Sequence, residues 1–276
     1  MSSTLFSKDL PWLSVILPTY RRPALLRRCL ASLAVGGAVP FEVEVLVGFQ
    51  DDDETAIPDE VNAIPGMRAL MIPEQVTLAE KVNAIAREAR GDFLMSWADD
   101  MVIGDRLWPQ TVVTALANTP HPGALNYALY PPNPDMTILP IVPRGWMAVT
   151  GWLAAPWFPY WFTDTWWDEI ATMVCGRCPV DIGVSQPHGN LTSGQPDLLM
   201  WVHLFTRLRP LRIAQAQRIA GLWSIPWQRV AECEQRVAHL YERRFLDAWG
   251  TDTPRGGRYA EAKAAAEAIL NGGPPR

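Results

Sequence analysis

The residues of this chain best suited to chemistry are carboxylates at the ends of apolar runs. Asp99 and Asp100 follow the stretch Asp92 to Trp97 (DFLMSW). A carboxylate pair there can hold a divalent cation, because Mg2+ or Mn2+ needs only one or two protein carboxylates when phosphate oxygens complete its shell. Such a cation would neutralise the charge that grows on a departing diphosphate. An isolated Asp-Asp pair commonly does no more than end a strand in water; the position directly after a buried run favours the cation role. A second cluster, Asp51-Asp52-Asp53, follows Phe41 to Phe49 (FEVEVLVGF). One of its carboxylates could accept the imide N–H of a uracil ring, the alternative being a solvated acidic turn. A third, Pro18 to Arg22 (PTYRR), follows Leu13 to Leu17 and sets Arg21 or Arg22 against a diphosphate, although exposed arginines need no special role.

The elements that must position these clusters are legible from periodicity. Leu13 to Leu17 is a continuous apolar, β-rich run, the pattern of a strand buried on both faces. Pro23 then opens a helix with Leu26, Cys29, Leu30 and Leu33 on one face, closed by Gly36-Gly37. Phe41 to Phe49 reads as a second strand and Met67 to Ile72 as a third. Leu78, Val82, Ile85 and Ala89 mark one face of a helix ending at Gly91, and Asp92 to Trp97 is a fourth strand. This β-α-β-(β)-α-β order predicts an α/β fold with a Rossmann-like, mostly parallel central sheet flanked by helices. Ligands of such sheets bind outside the carboxyl ends of the strands, where all three polar clusters fall.

Pro and Trp crowd the stretch from Pro131 to Trp167, with β-like pieces expected at Ala124 to Tyr130 and Trp146 to Val149. Helices are expected at Trp166 to Val174, Asp197 to Arg207, Gln228 to Asp247 and Arg258 to Leu270. The expected organisation is a core domain over 1–224, with halves 1–105 and 106–224, and a helical C-terminal extension over 225–276.

The 276 residues carry a net charge of −5, which argues against a general nucleic-acid binder. No apolar run approaches the ~18 residues of a membrane span. The expectation is a soluble cytoplasmic protein, peripheral to a membrane at most. Cys29, Cys175, Cys178 and Cys233 suit a reducing compartment, and the CxxC at 175–178 reads as ordinary thiols because no second pair stands at zinc-site spacing.

Leu13 to Pro23 (LSVILPTYRRP), the acidic turn, Leu78 to Ala84 (LAEKVNA) and Gly91 to Asp100 (GDFLMSWADD) together resemble the family 2 glycosyltransferases of the GT-A fold. The resemblance covers roughly Leu13 to Asp105. It implies that 1–105 is a nucleotide-binding half and 106–224 an acceptor half. It also implies that Pro18, Thr19, Tyr20 and Arg22 frame the nucleotide, and that Asp51 or Asp52 holds its base. Lys81 and Asn83 would lie near the nucleotide or sugar, and Asp99 and Asp100 would bind the metal–diphosphate. The family's usual Asp-x-Asp is here Ala98-Asp99-Asp100, which makes Asp100 the expected direct ligand of Mn2+ or Mg2+.

Members of this family usually invert the anomeric centre and take the acceptor proton with a carboxylate at the start of a later helix. The matching place is Trp161 to Glu169 (WFTDTWWDE), with Asp164 as general base and Asp168 and Glu169 in reserve. The alternative is that Asp164 or Thr165 simply caps that helix. His188 could complete the metal shell or be only a loop residue, and His203, beside Trp201 and Phe205, reads as a packed core histidine. Trp146, Trp152, Trp157, Trp161, Trp166 and Trp167 suit either an acceptor platform or a core.

The function expected is metal-dependent transfer from a nucleotide-sugar, a UDP-sugar for preference. The acceptor would be a carbohydrate, lipid-linked or small molecule, as in polysaccharide biosynthesis, and the C-terminal helices could pair across a homodimer. A sugar nucleotidyltransferase would carry a Gly-rich loop after the first strand, where this chain has PTYRRP. A non-catalytic nucleotide-sugar-binding protein of the same fold would be expected to lose Asp99 and Asp100.

Overall fold

The computed structural model describes residues 12–34, 43–74, 77–121, 123–132, 134, 136–159, 162–174, 176–187, 197–226 and 259–275. Strand β1 (Leu13–Pro18) is buried along its whole length. Val15 and Leu17 pack into one core and Ile16 into the other, as alternation across a sheet covered on both faces requires. Helix α1 (Pro23–Leu33) has proline in its first turn and buries Leu26, Cys29, Leu30 and Leu33, the face read from spacing. Strand β2 (Val43–Gln50) runs parallel to β1. A short helix, α2 (Pro58–Asn62), leads to β3 (Met67–Ile72), parallel to β2.

Helix α3 (Leu78–Arg87) starts at a capping box: the Glu80 amide donates to Thr77 Oγ1, and the Thr77 amide donates to the Glu80 carboxylate. Its buried face carries Ala79, Lys81, Val82, Asn83, Ile85 and Ala86, while Leu78 is 39% exposed. The helix keeps the period that the spacing predicts, but its buried face includes two polar side chains and leaves Leu78 outside. Strand β4 (Phe93–Ser96) pairs with the free side of β1, again parallel. The sheet therefore grows in one direction from β1 through β3 and then in the other through β4. The carboxyl ends of β1 and β4 flank the switch point where such sheets bind ligands.

Then follow β5 (Val102–Ile103), α4 (Trp108–Ala117), β6 (Leu125–Ala128), β7 (Leu139–Pro143), α5 (Arg144–Thr150), α6 (Thr163–Val174), β8 (Arg177–Val180) and β9 (Val184–Ser185). The main sheet has seven strands in the order β3-β2-β1-β4-β7-β6-β8. β7 is antiparallel to β4 and β6, and β8 is parallel to β6. β5 and β9 form a separate two-stranded antiparallel ribbon. Helices α7 (Leu198–Arg207), α8 (Arg209–Leu222) and α9 (Tyr259–Leu270) complete the described chain. The result is a mixed, mostly parallel sheet flanked by helices with a helical C-terminal extension. Among the described residues, no helix is long and apolar enough to cross a membrane.

Two readings need correction. Trp146 to Val149, expected as β-like, lies in α5, which ends at Gly151 with φ +81°. Trp146 is fully buried and donates its indole N–H to the Gly123 carbonyl at 3.0 Å, so tertiary packing overrides the β preference of Trp and Val. His203 is exposed, because the buried residues of α7 are Leu198, Trp201, Val202, Leu204 and Phe205. The expected helix Gln228 to Asp247 lies outside the described residues, as do Gly36, Gly37, Trp161, Cys175, His188 and Cys233.

Candidate functional site

The site is built where β1 and β4 end. Thr19 directly follows β1, and its amide donates to the Gly48 carbonyl of β2 at 3.1 Å, so the turn begins in register with the sheet. Its hydroxyl donates to Asp99 Oδ2 at 2.7 Å, a buried bond that ties the two strand ends across the switch point. Arg22 Nη1 lies 3.4 Å from Asp99 Oδ1 and 4.0 Å from Asp100 Oδ2, so one guanidinium faces both carboxylates. Burial pushes the Asp99 carboxyl above its ordinary pKa, against the opposing pull of Thr19 and Arg22.

The other side of the turn is organised by Asp53. The Arg21 backbone is left-handed at φ 53°, and its amide donates to Asp53 Oδ2 at 2.8 Å. The Thr55 amide and hydroxyl donate to Asp53 Oδ1 at 2.9 and 2.7 Å. Burial alone would raise the pKa of Asp53; the hydrogen bonds from Arg21 and Thr55 hold it below the usual range instead. Asp53 is thus the structural member of the acidic cluster, while Asp51 and Asp52 are exposed and face solvent. Tyr20 links the turn to the acidic cluster: its hydroxyl donates to Asp52 Oδ2 at 2.7 Å. Its ring lies 4.8 Å from Lys81 Nζ and 4.9 Å from the Arg21 guanidinium carbon. Lys81 is buried, and desolvation lowers its pKa to about 8 despite the nearby charges of Asp99, Asp52 and Asp53.

Asp100 is held from a third direction. The β5–β9 ribbon brings Gln186 beside it, and Gln186 Nε2 donates to Asp100 Oδ2 at 2.9 Å. Tyr130, beyond β6, donates its hydroxyl to Gln186 Oε1 at 3.1 Å. Neither residue stands out in the sequence, because the contact depends on pairing two-residue strands about eighty residues apart. Asp99 and Asp100 supply hard oxygen donors of the kind Mg2+ and Mn2+ prefer, and a cation shared with phosphate oxygens needs no more from the protein. Among the described residues, no group of three or more His, Cys, Asp and Glu side chains gathers as a closed metal cage.

Other expected site residues are engaged elsewhere. Asn83 Oδ1 accepts from the amides of Leu153 and Ala154, each at 2.8 Å, and its Nδ2 donates to the Ala154 carbonyl at 2.7 Å. Its amide ties the 153–154 segment to α3. Asp168 is buried against Arg177 at 2.6 Å and accepts from the Thr137 hydroxyl at 3.0 Å. Glu169 is buried against Arg212. Both reserve carboxylates therefore serve as counterions in the fold. Asp164 sits in the first turn of α6, and burial raises its pKa, with the charge of Asp168 acting in the same direction.

Trp146, Trp152, Trp166 and Trp167 are core residues, and Trp157 is half-buried with its ring 5.7 and 5.1 Å from those of Trp152 and Trp166. The aromatic block is thus mainly a core.

Comparison with known proteins places this architecture. Residues 14–125 match the model of the glycosyl transferase family 2. No curated protein is similar enough in sequence to count as a match. Among solved structures, residues 1–349 of S. aureus TarS in complex with UDP are 14% identical, with a TM-score of 0.57 over 86% of this chain and 75% of that one. The mannosyltransferase PcManGT from Pyrobaculum calidifontis, in complex with GDP-Man and Mn2+, is 15% identical, with a TM-score of 0.51 over 97% of this chain and 78% of that one. At these identities the structural likeness is one of fold. The chain has the GT-A fold of these proteins, and the family 2 match spans β1 through the start of β6.

Proposed function

We propose that this protein transfers a sugar from a nucleotide-sugar, a UDP-sugar for preference, to an acceptor hydroxyl, with a divalent cation and with inversion. The observation that carries the reading is the Thr19–Asp99 bond at the β1–β4 switch point, with Arg22 set across Asp99 and Asp100. Carboxylates and a cation converge where a parallel sheet binds its ligand, within the stretch that matches the glycosyltransferase family.

In this reading the Tyr20 ring and an exposed carboxylate of Asp51 or Asp52 receive the base, while Pro18 and Thr19 shape the floor. Lys81, charged below about pH 8, and Arg22 draw the diphosphate. Mn2+ or Mg2+, when bound through Asp100 and Asp99, supplies positive charge to the departing diphosphate. The acceptor oxygen forms a bond to the anomeric carbon as the bond from that carbon to the diphosphate oxygen breaks. Asp164 takes the hydroxyl proton. Asp168 and Glu169 already neutralise Arg177 and Arg212, which leaves Asp164 as the carboxylate of α6 suited to a base.

The experiment is to incubate the protein with UDP-sugars and Mn2+ without acceptor and follow release of UDP, since water can replace a missing acceptor slowly. Metal-dependent release from one donor, abolished in Asp100→Ala, is the expected result. Absence of release from every donor, together with absence of nucleotide binding, would remove the catalytic reading in favour of a non-catalytic protein of this fold.

A further inference from the structure

Arg22 Nη1 faces Asp99 Oδ1 at 3.4 Å and Asp100 Oδ2 at 4.0 Å, and the three side chains differ sharply in freedom. The Asp99 and Asp100 side chains are only 8% and 9% exposed, whereas that of Arg22 is 42% exposed. Asp99 is pinned by the Thr19 hydroxyl and Asp100 by the Gln186 amide. The carboxylates are fixed; the guanidinium sits on a long arm that can leave them for little cost. We propose that Arg22 is a resident counterion of the Asp99–Asp100 pair. It neutralises the pair when nucleotide is absent and moves to the diphosphate when nucleotide binds, so that divalent metal and nucleotide bind with mutual reinforcement. The inference rests on the donor-site reading above and adds an order of events to it.

The physical reason is competition for one pair of anions. A guanidinium within about 4 Å of two carboxylates would stand close to any divalent ion they held, and like charges at that range repel strongly where solvent is partly excluded. Metal arriving alone must therefore displace Arg22 or tolerate it, and either weakens binding. A diphosphate offers the guanidinium a bidentate acceptor of higher charge. Once Arg22 has moved, the two carboxylates are exposed to the metal. By linkage, the factor by which nucleotide improves metal binding equals the factor by which metal improves nucleotide binding.

The test compares wild type with Arg22→Met, which keeps an unbranched apolar stem and removes the charge. Mn2+ alone is titrated with each protein, reading free Mn2+ by electron paramagnetic resonance. The titration is then repeated with UDP after correction for the Mn–UDP complex in solution. Arg22→Met is expected to bind Mn2+ alone roughly tenfold more tightly than wild type, as expected for removing one nearby like charge. The improvement that UDP confers on Mn2+ binding should shrink by a similar factor in the variant. Arg22→Lys retains the charge and should follow wild type, and Arg22→Gln should follow Arg22→Met, which separates charge from packing. Equal or weaker binding of Mn2+ alone by both neutral variants overturns the counterion role alone. Failure of wild type to take up Mn2+ with or without UDP overturns the donor-site reading and the counterion role together.

Discussion

Asp99, Asp100, Thr19 and Arg22 meet because each follows a strand of the same parallel sheet, and strand ends are what apolar runs reveal. Asp53 and Gln186 were harder to see. Asp53 is one of three like residues, distinguished by its burial and by the hydrogen bonds it accepts from Arg21 and Thr55, and Gln186 meets Asp100 through a ribbon of two-residue strands. Two predictions belong to single residues. Lys81 has its pKa lowered to about 8 by burial, so its ammonium is present below that pH and lost above it. UDP affinity should therefore fall as pH rises from 7 to 9, and Lys81→Met should bind UDP weakly with a flatter profile when both are titrated calorimetrically. Asp164 has its pKa raised by burial, so its proton-accepting form is lost at a higher pH than for an ordinary aspartate. The acid limb of transfer should lie correspondingly above the usual range near pH ~4. Asp164→Asn should bind UDP normally and lose transfer by 10²-fold or more, on the order of a general base's contribution.

Strands β1 to β4 were legible because helices cover both faces of the sheet and force nearly continuous apolar sequence. β7 was not, although it lies inside the sheet between β4 and β6. Its Pro140 and Pro143 lack amide donors and argue against a central strand, so its sequence reads as loop. α5 is the opposite case, an aromatic and β-branched run that packing turns into helix. The junction of α3 and β4 has its own stringent requirement. A Cβ at Gly91 would stand 2.6 Å from the Ser14 backbone nitrogen and 2.8 Å from the Leu13 carbonyl carbon, and backbone cannot yield as a side-chain tip can. Ser14 Oγ also accepts the Gly91 amide at 2.7 Å while donating to Glu44 at 2.6 Å. Gly91→Ala should cost about 2–3 kcal/mol in denaturant unfolding, the range of overpacking in a well-filled interior. A loss below ~0.5 kcal/mol would show that β1 and β4 can separate freely at that end.

At the scale of the whole molecule, buried charge as well as apolar packing fastens the later helices to one another. Glu169 on α6 meets Arg212 on α8, where the guanidinium lies over the Phe205 ring at 3.6 Å and donates to the Phe205 carbonyl. Burial lowers the pKa of Arg212 to about 10, offset in part by Glu169, so the guanidinium remains charged at neutral pH. Glu169→Ala leaves a buried cation without its carboxylate and should destabilise the fold by roughly 3–5 kcal/mol. Transfer per folded molecule should persist, which separates this carboxylate from Asp164. Asp197, Tyr259 and Lys263 fasten α9 to α7, with Lys263 Nζ 2.8 Å from Asp197 Oδ1 and the Tyr259 hydroxyl 3.1 Å from Oδ2. Such distant contacts leave little trace in sequence, since a polar residue that pairs across the fold looks like one that faces water. The central claim is that the β1–β4 switch point binds a nucleoside diphosphate with a divalent cation. The most direct measurement is thermal unfolding with UDP, with Mn2+, and with both. At ligand near 100 times its dissociation constant, binding adds about 2.7 kcal/mol. That corresponds to a rise of about 5 °C for a chain of this size. The account predicts that rise with UDP and Mn2+ together, much less with either alone, and its loss in Asp100→Ala. An unchanged melting temperature under all three conditions at millimolar ligand would contradict it.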